Sequence, residues 1–252
     1  MRKQLSRILI SLSVSIAYPG ISQVAAPSPT QLQAVQAQAY SALMTTAHPT
    51  SIVLNGTFAS TEGSLSQNGN AQLTVGSDGT VLINLSRTIG PISEARTVSY
   101  GIPACTWTDQ ESVVHNGLFL NCMPPAWFFP GLTLLASSGD TSVPAWTPSS
   151  YASDSLGVHL RFKFIVPDLK GAEQDPLLSS LFDLVLAPDT HLPQYALFTV
   201  HPDNPAINAD IPVRIAYSNY RSVSGVMVPF HIQRYVNDSL VLDLAISTAS
   251  VQ

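Results

Sequence analysis

Residues 211–250, IPVRIAYSNYRSVSGVMVPFHIQRYVNDSLVLDLAISTAS, read as three antiparallel strands in succession. Val213, Ile215 and Tyr217 share one face of the first, and Val228, Phe230 and Ile232 share one face of the second. In the third, Leu240, Leu242, Leu244 and Ile246 alternate with Val241, Asp243, Ala245 and Ser247. Side chains of a strand point alternately to its two faces, so this period of two puts one wall in water and the other against something apolar. The stretch predicts a large antiparallel sheet with one apolar face, its last two strands joined by a tight turn around Asn237-Asp238.

The same pattern recurs upstream. Val158, Leu160, Phe162, Phe164 and Val166 alternate with His159, Arg161 and Lys163, which predicts a half-exposed strand. Further strands are expected at Asp183 to Ala187 and Gln194 to Val200, after a short helix begun by Asp175-Pro176 and running to about Leu181. Nearer the N-terminus, Ile52, Leu54 and Phe58 alternate, Asn68-Gly69 marks a turn, and Ala71, Leu73 and Val75 alternate again. Asp78-Gly79 suits the positive φ angles of a tight hairpin before Val81, Ile83 and Leu85. One amphipathic helix precedes the strands. Ser28 or Thr30 can cap it, Pro29 fits its first turn, and Leu32, Val35, Ala39 and Leu43 form its apolar stripe. It is expected to run to about Thr45, with His48-Pro49 beyond it. The least regular part is Gly90 to Ser155. There Pro124 to Ser138 predicts a helix broken at Pro130-Gly131 and apolar on every side, and Pro144 to Ser150 reads as a loop.

The 252 residues suit one large β domain. Charged residues make up 11%, against about 25% in an average soluble domain. Arg2, Lys3 and Arg7 precede the apolar run Ile8 to Tyr18, which resembles a secretory signal peptide ending at Ala26, with Ser22 as the alternative cleavage position, and is too short to span a membrane as a helix. The expected organisation is a signal peptide over residues 1–26 and a single domain over 27–252, exported to the periplasm or secreted. Without the leader, eight basic residues face sixteen acidic ones, a formal charge of −8. Such a chain repels phosphate backbones, which argues against nucleic acid as a partner. Cys105 and Cys122 are the only cysteines, and in an oxidising compartment an isolated pair reads as a disulfide. His115 between them raises a zinc alternative, but the spacing matches no common ligand set and lacks a fourth donor.

Asp189-Thr190-His191-Leu192-Pro193, followed by Ile215 to Tyr217, Val223-Ser224-Gly225, Val228-Pro229-Phe230 and Ile232, resembles the last third of periplasmic lipoprotein carriers of the LolA and LolB type. The order of one helix, a strand series, a helical interruption and a second strand series resembles that family too. The resemblance covers mainly Leu156 to Ser250 and, more loosely, Thr30 to Leu85. It implies an α+β fold: a curved antiparallel sheet, an unclosed β-barrel, with helices covering its concave face. It further implies a cavity for acyl chains, a lipid or lipidated polypeptide as cargo, a transient membrane-complex partner, and no catalysis. The Cys105 to Cys122 segment and the apolar stretch around Trp127 have no counterpart in that pattern, and the family's closing arginine is not placed by it.

Trp127, Phe128, Phe129, Leu132, Phe162, Phe164, Phe230 and Ile232 are the candidates for a ligand-facing wall. Burying each is worth about 1.5–3 kcal/mol, whether the contact is with a ligand or with ordinary core. Arg214, Arg221 and Arg234 are candidates for an anionic-headgroup site, against a solvated sheet face whose arginine stems cover apolar surface. His201-Pro202-Asp203-Asn204 with Asp210, and Asp189 with His191, read first as turns; no metal set or cofactor motif is assigned. No Gly-x-Ser-x-Gly elbow or Ser-x-x-Lys occurs, so no catalytic residue is assigned. Three classes are carried forward: a carrier of a lipid or lipidated polypeptide, a structural or adhesive envelope module with a packed β core, and a secreted hydrolase assembled from dispersed His, Asp and Ser.

Overall fold

The computed structural model describes residues 28–45, 47–99, 102–135, 146–165, 179–201 and 210–252. The expected signal segment, residues 1–26, lies outside them, as do Asp175-Pro176 and Pro202 to Asn204.

A helix, α1 (Pro29–Leu43), comes first. Ser28 caps it: its Oγ accepts from the Gln31 N–H while the Gln31 side chain accepts from the Ser28 N–H. Six strands follow in a meander: β1 (Ser51–Glu62), β2 (Leu65–Gly76), β3 (Val81–Arg87), β4 (Gly90–Ser99), β5 (Ile102–Thr108) and β6 (Val114–Asn116). Two short helices, α2 (Phe119–Cys122) and α3 (Gly131–Leu134), lead to a second meander. It contains β7 (Trp146–Ser153), β8 (Val158–Ile165), β9 (Ser179–Leu186), β10 (Pro193–Val200), β11 (Ile211–Val223), β12 (Val226–Val236) and β13 (Ser239–Val251).

The two meanders make one sheet of 13 strands because β1 pairs antiparallel with β13. At this seam Gly56 stands opposite Ile246 and Asn55 opposite Thr248, so Ser247 is an extra residue that shifts the register. A Cβ on Gly56 would meet the backbone of Ala245 and Ile246, which is why the seam needs glycine there. The sheet does not close: β6 and β7 are its edges, and the chain between them carries α2 and α3.

The three strands of the C-terminal meander fold as expected. Val213, Ile215, Tyr217, Val228, Phe230, Ile232, Leu242, Leu244 and Ile246 are all buried on one face. Leu240 is the exception at 41% exposed, since a register shift at Arg234/Tyr235 brings it opposite Tyr235 near the strand end. Helix α1 stops at Leu43, two residues short of the expectation, and packs on β7, β8 and β12 with Ala39 and Leu43 buried. The Gln36 amide donates to the Leu134 carbonyl at 3.0 Å, which joins α1 to α3.

Five expectations need correction. Asn68 and Gly69 lie inside β2, and the turn falls at Gly63-Ser64, where Gly63 takes φ 63°. Gly90 to Ser155 is more regular than expected, since its described residues contain β4 to β7, hidden in the sequence because β4 carries Glu94 and Arg96 among the positions that face the core of its neighbours. Trp146 to Ser150 is strand rather than loop, and Pro148 is tolerated because β7 is an edge strand with a register shift at that point. Pro130-Gly131 begins α3 instead of interrupting a longer helix, and Leu181 belongs to β9.

Candidate ligand cavity

Between the two meanders lies a cavity of about 290 Å³. Val81 and Ile83 of β3, Arg96 of β4 and Trp107 of β5 wall one side; Phe198 of β10 and Arg234 of β12 wall the other; Pro124 to Trp127 lie across it. Strands β3 and β10 are six places apart in the sheet, about 29 Å in a flat sheet at the usual strand spacing. Both border one small cavity, so the sheet is strongly curved. The volume is at the lower end for small-molecule sites, which run from about 300 to 1,000 Å³.

Two arginines give the cavity its electrostatics. Arg96 is 7% exposed and faces inward opposite Val81 and Cys105. Its Nε and Nη2 donate to the Gly79 carbonyl at 3.1 and 2.8 Å, and Nη1 donates to the Pro124 carbonyl. The Asp78-Gly79 turn read from the sequence therefore presents an acceptor to a buried cation; Gly79 takes φ 85°, and Asp78 holds the turn through Thr80. Burial pushes the Arg96 pKa down to about 10, with Asp78 pulling it back up, so the group stays charged at neutral pH. Arg96 ties the β2–β3 turn to the segment between α2 and α3.

Arg234 follows Val228, Phe230 and Ile232 in the alternation of β12 and pairs across the sheet with Ile215 and Leu242. Its guanidinium lies 5.6 Å from the Trp127 ring. Of the three arginines singled out from the sequence it alone borders the cavity. Arg214 stacks 3.9 Å from the Tyr235 ring, and Arg221, exposed, lies 4.3 Å from the Phe230 ring.

Trp127 marks where the cavity meets solid core. Its ring is edge-on to Phe128, and its carbonyl accepts from the buried Tyr217 hydroxyl, whose pKa burial raises well above the ordinary value. The other seven candidate wall residues, Phe128, Phe129, Leu132, Phe162, Phe164, Phe230 and Ile232, all belong to the core cluster and are at most 7% exposed. A void of only about 10 Å³ remains beside Phe128, Phe129 and Tyr217. Cys105 and Cys122 form a disulfide with Cα atoms 5.3 Å apart that borders the cavity and pins α2 to β5. Gly117 packs so close to it that a Cβ there would meet the Cys105 sulfur. The Asn121 amide exchanges two hydrogen bonds of 2.8 Å with the His201 backbone, which fastens α2 to the end of β10. His201 also pairs with Asp210 at 3.3 Å.

A Ser, His and Asp do converge elsewhere. Ser218 Oγ is 3.2 Å from His231 Nδ1, and His231 Nε2 is 2.8 Å from Asp243 Oδ1. Ser218 is exposed, the three lie on the sheet face opposite Tyr217 and Ile232, and Gln233 donates to the other Asp243 oxygen. None of the three lines the cavities beside Arg234, Arg214, Phe128 or Leu65. A hollow of about 660 Å³ next to Arg161, Asp183 and Arg214 has a described wall that ends at Ser180, His201 and Asp210. It carries no assignment.

The sequence names Arg234 as a headgroup candidate, without a place in a cavity, and does not single out Arg96 at all. For Arg234 the signal was present, since period two carried past Ile232 lands on it; for Arg96 there was none, because β4 lacks an apolar alternation.

No family model matches the sequence, and no curated protein matches it. Solved structures do. An outer membrane lipoprotein-sorting protein domain from Vibrio parahaemolyticus superposes with a TM-score of 0.50 at 10% identity, over 87% of this chain and 92% of its own. A LolA superfamily protein from Nitrosomonas europaea gives 0.51 at 11% identity, over 88% and 93%. With an unclosed antiparallel sheet whose first and last strands pair, and with these structural neighbours, the chain has a LolA-like fold.

Proposed function

We propose that the chain is an exported, non-catalytic carrier of a lipid or lipidated polypeptide, and that the acyl portion enters the cavity between the meanders. The observation that carries this reading is the cavity itself, walled largely by Val81, Ile83, Trp107, Trp127 and Phe198 within a curved sheet that does not close. In this reading α1 and the 117–135 segment cover the concave face, and cargo enters where that segment passes over β5. Trp127 makes first contact. Phe128, Phe129, Leu132, Phe162, Phe164, Phe230 and Ile232 form the apolar ground behind it, into which a longer chain would extend by displacing core contacts.

The disulfide supports an oxidising compartment, and the sorting role named for the Vibrio neighbour supports the cell envelope and a transient membrane-complex partner. The tight packing around Phe128 and Tyr217 favours a second reading, a structural envelope module whose interior is complete without a ligand. Native mass spectrometry of the mature protein from its own host's envelope separates the two. Co-purifying acyl-chain mass is expected. A clean apo mass with no lipid uptake on titration would sink the carrier and leave the structural module.

A further inference from the structure

We propose that the cavity selects amphiphiles whose head group is a carboxylate or a phosphate, and that Arg234 is the residue that recognises it; the proposal rests on the carrier reading. Arg234 is an unusual occupant of its position. The row across the sheet is otherwise apolar, Ile215 on one side and Leu242 on the other. Its Nε is shielded from solvent and has no hydrogen-bond acceptor among the described residues. A shielded N–H of a charged group without an acceptor is destabilising, and native proteins keep such groups rarely. The Trp127 ring fixes the guanidinium from one side without satisfying it, since a ring face is no hydrogen-bond acceptor of comparable strength. The Nη groups are not shielded in this way, so an anionic oxygen in the cavity would pair with them and balance the charge, and a planar guanidinium offers a carboxylate or phosphate paired donors.

The second arginine does not compete for this role, because Arg96 is spent on the Gly79 and Pro124 carbonyls. Glu94 is the one acidic residue on the cavity wall; it is exposed and makes no ion pair with either arginine among the described residues. Two cations and one anion leave the described wall with a charge of +1, which suits a single anionic head. The apolar walls around Val81, Ile83, Trp107 and Phe198 then take the chain.

The test titrates the full mature protein with decanoate, decyl phosphate and 1-decanol by calorimetry, in wild type and in Arg234→Gln, with thermal melts to verify folding. In wild type at least one of the two anions is expected to bind roughly tenfold or more tighter than decanol, as a charged hydrogen bond in a shielded site requires. The preference between decanoate and decyl phosphate separates a fatty-acid-like head from a phospholipid-like one. In Arg234→Gln the anions should fall to within about twofold of decanol, whose own affinity stays unchanged. Decanol binding as tightly as both anions in wild type would overturn the head-group assignment while leaving the carrier intact, and it needs no variant. A full anion preference surviving in Arg234→Gln would overturn the role of Arg234. Failure of all three ligands to bind would remove the carrier reading and this proposal with it.

Discussion

The two meanders that meet at the β1–β13 seam are built on the same strand geometry but fill their inner faces differently. On β8 to β13 the inner face is aromatic and aliphatic core broken at Arg234: Leu160, Phe162, Phe164, Phe182, Leu184 and Ile215 are fully buried, and Phe198 and Arg234 reach the cavity. On β3 to β5 the inner face carries Ile83 but also Glu94, Arg96 and Trp107, and it borders the cavity. The α2–α3 segment borders the same cavity and is fastened by a disulfide, by Arg96 and by Asn121. One wing is held by dispersion and burial, which are non-directional, and the other by a few directional links. In the carrier reading proposed above, ligand entry would open the second without unfolding the first.

The largest effect that would sharpen this contrast is Phe162→Ala, expected to destabilise by about 3–5 kcal/mol in urea unfolding because the packed wing cannot collapse into the hole. A loss below about 1 kcal/mol would mean the wing is loosely packed and the contrast false. Next, Cys105→Ser with Cys122→Ser should lower stability by about 3 kcal/mol in the chain-entropy description of a loop this size. Hydrogen exchange should rise first in 117–127, and an even rise over β8 to β10 would show that the cover is not a separate unit. Arg96→Gln comes third, at about 2 kcal/mol, since it strips charged donors from the buried Gly79 and Pro124 carbonyls. Faster exchange confined to β3–β5 and the cover would mark Arg96 as their link.

The smallest effect lies on the outer surface of the packed wing. His159 bridges Asp183 and Asp154, 3.1 Å from each. Burial pushes its pKa down, but the hydrogen bonds and charges of Asp183 and Asp154 outweigh that and leave it raised above its ordinary 6.5. A raised folded-state pKa stabilises fully below pH 6.5, and the contribution fades as pH rises through the folded value. The melting temperature should therefore fall slightly from pH 6 to pH 8 in wild type, by more than in His159→Gln. Equal slopes in the two proteins would remove His159 from the account.

What the sequence by itself determined was each element whose burial is one-sided and apolar. Val213 to Tyr217, Val228 to Ile232 and Leu242 to Ile246 announce their faces because a strand has only two and the hydrophobic effect sorts them. Ser28 and Asp78-Gly79 announced a cap and a turn because those rest on local backbone geometry. Strands β4 to β7 stayed hidden. Their pairing partners, not their own alternation, make them strands, and Arg96 is paid for by carbonyls 17 and 28 residues away. The sequence named Trp127 and Arg234 as separate candidates, yet only the curvature of the sheet brings them to one cavity with Val81 and Phe198. Period two tells which face a side chain takes; which distant strand stands across from that face depends on how far the whole sheet bends, and no local pattern encodes it.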